Sequence, residues 1–395
     1  ASRGLGDVYK RQFRDYALQE NLWKVLLRTG TPLAFYQALN TLYKMLDSLM
    51  ASHINAEAVS AVAYLSQINI TVSAIGMGLS MGSSLKISEA YGAGDYGLVK
   101  QRVSNLFAMV GILDILLLSC IPFTGILLKA ARTPEELIAM GSTYFNIELA
   151  GLAVAFFNNA YIAVERSRGN TKRIFRLNMI VIVLKLAFTA FFVYVLESGI
   201  TMIAIASVIS QAVLMVIGLK NISQKGSSFR FSMGNVCLHS KAVAPLLKIS
   251  FPLIVEKAAF SAGKVIVNSM CSAYGSLTVG ALGICNNITG IFSNAQSGYQ
   301  EGCAAIISQN LGAGKPARAL EAFKKIFVIN LLFGSAGLII SLLSIDTLSY
   351  LYASSSHGLN AEFRDIIRNI FRYDALGTIV PWGIGASAVS YTHLR

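Results

Sequence analysis

The stretch Ile87-Ser88-Glu89-Ala90-Tyr91-Gly92-Ala93-Gly94-Asp95 returns 220 positions later as Ile307-Ser308-Gln309-Asn310-Leu311-Gly312-Ala313-Gly314-Lys315. Earlier in each copy, Leu26-Leu27-Arg28 with Pro32-Leu33 returns at the same offset as Leu246-Leu247-Lys248 with Pro252-Leu253. Between these anchors Lys44 matches Lys264, Met50 matches Met270, and Gln67-Ile68 matches Asn287-Ile288, all without a gap. Apolar segments resemble one another easily by chance, but chance does not hold one register across polar loops. The chain is therefore read as an internal duplication.

Of its 395 residues 54% are hydrophobic and 13% charged, too few charges to solvate a globular surface of that size. Runs such as Val103–Leu128, Thr201–Leu219 and Ile326–Leu343 are nearly free of charge. At about 1.5 Å rise per residue, each crosses a hydrocarbon core of about 30 Å. Core helices of a soluble protein would carry a charged face, and these do not. The predicted fold is all-α, a polytopic membrane protein with spans near Leu22–Ser52, Ala56–Ile87, Leu98–Leu128, Leu137–Val164, Ile174–Leu196, Thr201–Lys220, Pro245–Ala273, Leu277–Ile307, Ala319–Ser344 and Phe363–Ala386.

Lysine and arginine set the orientation. The loops after the second, fourth, sixth and eighth spans carry, among others, Lys86, Arg102, Arg166, Arg168, Lys172, Lys241, Lys315 and Arg318. Those after the first, fifth and seventh carry none. The basic loops, and with them the N-terminus, are expected on the cytoplasmic side of an inner membrane. The net charge of +13 is then a topological signal, and a nucleic-acid partner is not expected. Six spans separate the copies, so both have one topology and are related by an axis along the membrane normal, with the substrate path between them. The division expected is a first bundle at 13–221, a cytoplasmic linker at 222–244 and a second bundle at 245–388.

Both ends read as foreign. Asp7–Gln12 and Val389–Leu394 are what one short DNA element encodes on its two strands, an element that resembles the mosaic end of a sequencing-library transposon. Residues 1–12 and 389–395 are therefore expected to lie outside the fold. The five cysteines show no CxxC spacing, the four histidines no HExxH pair, and there is no GxxxxGK[ST] loop. No metal, cofactor or ATP hydrolysis is expected, and energy has to come from an ion gradient.

The residues carry a family likeness. Pro32 and Asp47 in the first helix, Glu89–Asp95 after the second, Arg166-Ser167-Arg168-Gly169-Asn170-Thr171-Lys172 after the fourth, and Gln309–Lys315 resemble the multidrug and toxic compound extrusion (MATE) family over about Phe13–Ala388. The resemblance implies twelve helices in two six-helix bundles, of which this chain is expected to hold about ten. It implies a secondary active antiporter, not an enzyme, exporting organic cations or amphipathic small molecules in exchange for protons, less readily sodium, by alternating access. Membrane lipid and a small-molecule substrate are its expected partners, and a monomer its expected state. The glycine loops have a local reading too: Gly92 and Gly94 permit positive φ at a helix end and Asp95 caps the next helix, which makes them architecture.

Ionisable groups inside spans are costly and so are candidates by default. Asp47 matches the first-helix acid that the family uses for coupling. Desolvation in a bundle favours the protonated form of a carboxylic acid, as proton exchange needs. An ion pair with Lys44, one turn earlier, is the structural alternative. On the fifth helix, where many members have an Asn and an Asp four residues apart, this sequence has Lys185 and Thr189. Lys185 is expected to supply a tethered cation to Asp47 in place of a bound one, which argues against sodium. The seventh helix adds Glu256, Lys257 and Lys264; the acid of the family's sodium-coupled branch falls near Phe260 here. Gln37, Asn40, Tyr43, Gln67, Asn158, Glu256, Lys264, Asn268 and Asn287 are the expected cleft residues. The intramembrane lysines leave a second reading open: a flippase or exporter for a lipid-linked or anionic substrate in the same wider superfamily.

Overall fold

The computed structural model describes residues 13–51, 56–130, 135–224, 226–353 and 360–392; side chains are described at fewer positions, and those of Lys44, Asp47 and Gln67 are not among them. Ala1–Gln12 fall outside the described residues. Among the described residues the chain is helical throughout, with ten long helices: α1 Leu22–Ala51, α2 Ala56–Ala93, α3 Tyr96–Ser119, α4 Glu135–Ser167, α5 Thr171–Ala190, α6 Ile200–Ile222, α7 Ser240–Ser272, α8 Ser276–Gly312, α9 Pro316–Ala353 and α10 Asn360–Thr392. The ten expected spans are there, with shifted ends.

Each shift has a local cause. The third span is expected to run to Leu128, but α3 stops at Ser119, and Pro122 sits in a 3₁₀ turn, Ile121–Phe123, before a short helix Thr124–Ala130. Proline lacks the N–H that would continue the ladder. In contrast, α7 begins at Ser240, five residues before the expected Pro245; the proline there forgoes a bond to the carbonyl of the exposed Lys241, which water can satisfy. Helix α10 continues to Thr392, into the stretch expected to lie outside the fold; Val389–Thr392 contain no residue that stops a helix.

Among the described residues, five helical stretches are long and apolar enough to cross a membrane by composition alone: Tyr96–Lys129, Ser142–Ser167, Thr171–Val195, Thr201–Ile222 and Pro316–Thr347. Helices α1, α2, α7 and α8 are the ones through which the two copies meet. Helix α1 packs along α8, α7 packs along α2, and α2 crosses α8. Under the 220-residue shift the first two packings are images of each other and the third maps onto itself.

The cores follow the same symmetry. Leu246 of α7 is fully buried in the cluster that α2, α3, α4 and α6 form around Tyr91, Leu106, Phe156 and Tyr161. Its repeat mate Leu26 of α1 is fully buried with Cys303, Ile306 and Ile326 of α8 and α9. Each copy thus leans its first helix on the other copy. A third cluster, Cys285, Ile288, Phe371 and Ile379, ties α8 to α10.

The segment between α6 and α7, expected as a linker, is pinned to the first bundle. Phe229 is buried edge-on against Tyr91 at 5.1 Å, and the Arg168 guanidinium lies 5.5 Å from the Phe229 ring centre. The Ser232 and Cys237 amides donate to Ser104 Oγ at 3.1 Å and Asn105 Oδ1 at 2.8 Å.

Candidate functional site

The two copies are joined at the end of the molecule that carries the basic loops. Lipid offers little hydrophobic drive for helix association, so helices there rely on close backbone approach, which needs small residues. Three pairs of glycines at the 220-residue offset supply it. A Cβ on Gly78 would sit 2.9 Å from Ile254 Cα, and one on its mate Gly298 2.5 Å from the Leu33 carbonyl oxygen. One on Gly82 would meet Ser250 Cα at 2.7 Å, and one on Gly302 the Thr29 carbonyl oxygen at 2.9 Å. At the tip of the crossing, a Cβ on Gly92 would overlap the Gln309 carbonyl and one on Gly312 the Glu89 carbonyl. Gly92 therefore has a different reason from the one expected: it is helical and admits the neighbouring backbone. Gly94 and Gly314, with φ of 81° and 70°, are the left-handed positions. Asp95 caps α3 as expected, its Oδ1 accepting from the Leu98 amide at 2.9 Å.

Polar contacts lock this seam. Arg166 Nη2 on α4 donates to Glu301 Oε2 on α8 at 2.7 Å, Gln309 Nε2 to the Ser167 carbonyl at 2.8 Å, and Ser250 Oγ to the Leu79 carbonyl at 3.3 Å. The other arginine of that loop stays in its own bundle: Arg168 Nη1 pairs with the buried Glu165 at 2.8 Å, and Asn170 donates to the second Glu165 oxygen at 2.9 Å.

Towards the other end the seam gives way to ionisable groups. The Lys185 ammonium lies 4.8 Å from the centre of the Tyr43 ring, which places α5's lysine against α1 one turn before Asp47. Lys44, Asp47 and Gln67 themselves have no described side chain. Gln37 packs in the α1–α8 crossing, its Cγ 2.8 Å from where a Gly298 Cβ would be. Asn40 is half-buried, and Asn268 and Asn287 are exposed. On α7, Glu256 Oε1 is 3.9 Å from the Lys257 ammonium, and the Lys264 ammonium is 5.1 Å from the centre of the Phe260 ring. Phe260 in turn packs on Trp382, whose Nε1 donates to Ser297 Oγ at 2.8 Å.

Asn158 corrects the expectation. It is 2% exposed, and its Nδ2 donates to the Gln211 carbonyl at 3.0 Å, so it glues α4 to α6 inside the first bundle and lines no cleft.

Among the acids not singled out in the sequence, three hold contacts between helices. Asp374 on α10 accepts from Thr289 at 2.9 Å and Thr378 at 3.1 Å and lies within Coulombic reach of Lys264. Glu148 on α4 accepts from the buried Asn69 at 2.7 Å. Glu301 is the third. All three lie inside expected spans, and that alone marks them.

Two pseudo-symmetric helical bundles, crossing through glycine and holding carboxylates and ammonium groups within the spans, define a multi-pass membrane transporter. Residues 32–191 and 252–379 match the family model MatE, and the chain belongs to that family; the two matched segments begin 220 residues apart. The chain is a transporter and not an enzyme. It is 25% identical over 305 residues to the probable multidrug resistance protein YpnP of Bacillus subtilis, covering 76% of this chain and 67% of that one. It is 23% identical over 343 residues to the probable multidrug resistance protein NorM of Thermotoga maritima, covering 84% and 73%. Among solved structures it resembles the outward-facing form of a multidrug resistance MATE transporter of the MOP superfamily, with a TM-score of 0.83 at 18% identity over 96% of this chain and 86% of the other. A MOP superfamily transporter from Pyrococcus furiosus, described as having a binding pocket of reversed polarity, gives 0.84 at 18% identity over the same shares.

Proposed function

We propose that the chain is a multidrug antiporter that exports organic cations or amphipathic small molecules in exchange for protons, the two bundles rocking about the seam to expose the cleft alternately to each side. The observation that carries this reading is the seam itself. At the basic end three glycine pairs and the Arg166–Glu301 pair close the interface between the copies. Such an interface packs one way when closed and has to separate as a unit.

The coupling group in this reading is Asp47, with Lys185 as its countercharge and Lys44 on the same helix. What supports it is the placement of the Lys185 ammonium over Tyr43, one turn from Asp47 on the same face of α1. A resident ammonium there takes the place of a bound sodium ion and leaves proton exchange as the coupling step. The alternative, an exporter of lipid-linked or anionic substrates, needs open ammonium groups in the cleft. Lys185 and Lys264 instead lie over aromatic rings, with Asp374 near Lys264, which favours the cationic substrate.

Dye accumulation in cells lacking their own pumps tests the reading. Expression should lower accumulation of a cationic dye, and collapse of the proton gradient should abolish the effect. Unchanged accumulation in expressing cells contradicts it.

A further inference from the structure

A groove of about 530 Å³ runs between α1 and α5 on the first bundle, away from the seam, lined by Leu27, Arg28, Thr31, Pro32, Phe35, Lys172, Phe175 and Arg176. Three cations and no acid line it. Lys172 and Arg176 stand one turn apart on α5, so they share a face, and Arg28 faces them from α1. Among the described residues none of the three is paired with a carboxylate; Arg28 lies instead over the Tyr16 ring at 4.8 Å. The apolar part of the lining is left open. Leu27 is 49% and Phe35 61% exposed. Thr171 Oγ1 reaches the Arg28 carbonyl at 3.5 Å, tying the two helices together at the head of the groove.

We infer that this groove binds an anionic phospholipid from the leaflet at the basic end. Like charges gathered without a counterion repel, and the arrangement becomes favourable when an anion fills the space between them. The second half of the argument is shape. The cations Arg28, Lys172 and Arg176 lie within the first two turns of their helices, with Phe175 between the two on α5, while Pro32 and Phe35 continue the groove along α1. From Leu27 to Phe35 the α1 side runs about 12 Å into the span, at 1.5 Å per residue. A headgroup against cations and a chain against the exposed Leu27 and Phe35 is the polarity of a lipid at the membrane boundary, and a basic pocket between spanning helices binds anionic headgroups. A soluble anion would leave Leu27 and Phe35 unused. An amphipathic helix would have to bring its own acids into a groove closed at its head by Thr171.

The full chain, purified in detergent, is titrated with phosphatidylglycerol or with phosphatidylcholine, and bound lipid is counted by native mass spectrometry. Phosphatidylglycerol should bind selectively. Replacing Arg28, Lys172 and Arg176 by Gln should weaken it about fivefold per cation removed and leave phosphatidylcholine unaffected. Lys172→Arg should retain it, Phe35→Ala should weaken it, and glycerol 3-phosphate should not displace it. Equal binding of the two lipids overturns the proposal. So does full binding by the triple variant, or displacement by glycerol 3-phosphate, which would mark a free-anion site. Should the triple variant fail to fold, Lys172→Gln at its exposed position carries the same requirement of an about fivefold loss. The readout is binding, so its failure leaves the reading of proton coupling untouched.

Discussion

Arg166 on α4 reaches across to Glu301 on α8, Nη2 to Oε2 at 2.7 Å, with the two side chains 11% and 19% exposed. This is a charge pair between the repeats, placed where the glycine crossing already holds the backbones together. Two charges so far out of water cost more alone than together. Arg166→Gln or Glu301→Gln should therefore destabilise the closed seam by about 2 kcal/mol, below the roughly 3–5 kcal/mol of a fully buried pair. Spin labels at the exposed Ala93 and Ala317 should report longer distances in either variant, and the double swap Arg166→Glu with Glu301→Arg should restore the parental distance.

The glycine pairs predict a matched response. Gly92→Ala and Gly312→Ala each drive a methyl into the opposite carbonyl, and because the sites are images they should open the seam by similar amounts, at about 1–3 kcal/mol each. Gly111, on α3 with nothing within 4 Å of an added Cβ, is the control. Gly111→Ala should be neutral or raise thermal stability by up to about 1 kcal/mol through helix propensity.

Asp95 supplies a smaller effect. Its carboxylate holds the Leu98 amide at the start of α3, so Asp95→Ala should lower stability by about 1 kcal/mol, while Asp95→Ser or Asp95→Asn should cost far less. Thermal unfolding in one detergent distinguishes them.

Asp374 tests whether the second bundle takes part. With hydroxyls from Thr289 and Thr378 on its two oxygens, it is held in place whether or not it carries a proton. Asp374→Asn should leave folding intact and reduce efflux at least tenfold if the carboxylate contributes to coupling or to substrate charge; Thr378→Val should lower it less. Dye efflux normalised to protein in the membrane gives the comparison.

Much of the fold was legible in the sequence because duplication leaves register, and register survives where individual apolar residues do not. The signal reached further than the loops. Gly78, Gly82 and Gly92 each have a mate at Gly298, Gly302 and Gly312, and that spacing alone marks which face of α2 and α8 approaches a backbone. Asn158 was not legible: an Asn in a span reads alike whether it faces a cleft or a neighbouring helix, and only the partner Gln211 decides. Asp374 and Glu148 were legible by type but not by pairing, since Thr289 and Asn69 lie 85 and 79 residues away in sequence. The pinned segment around Phe229 looked like a linker because its contacts are single side chains rather than a periodic pattern.

In the proposed cycle, proton movement through Asp47 drives substrate movement between the bundles. Vesicles containing the full chain, given a proton gradient and then separately a sodium gradient, should accumulate a cationic fluorescent drug under the first only. Asp47→Asn, still inserted and still binding drug, should abolish that accumulation. Accumulation that follows the sodium gradient, or that persists undiminished in Asp47→Asn, would rule out proton coupling through Asp47.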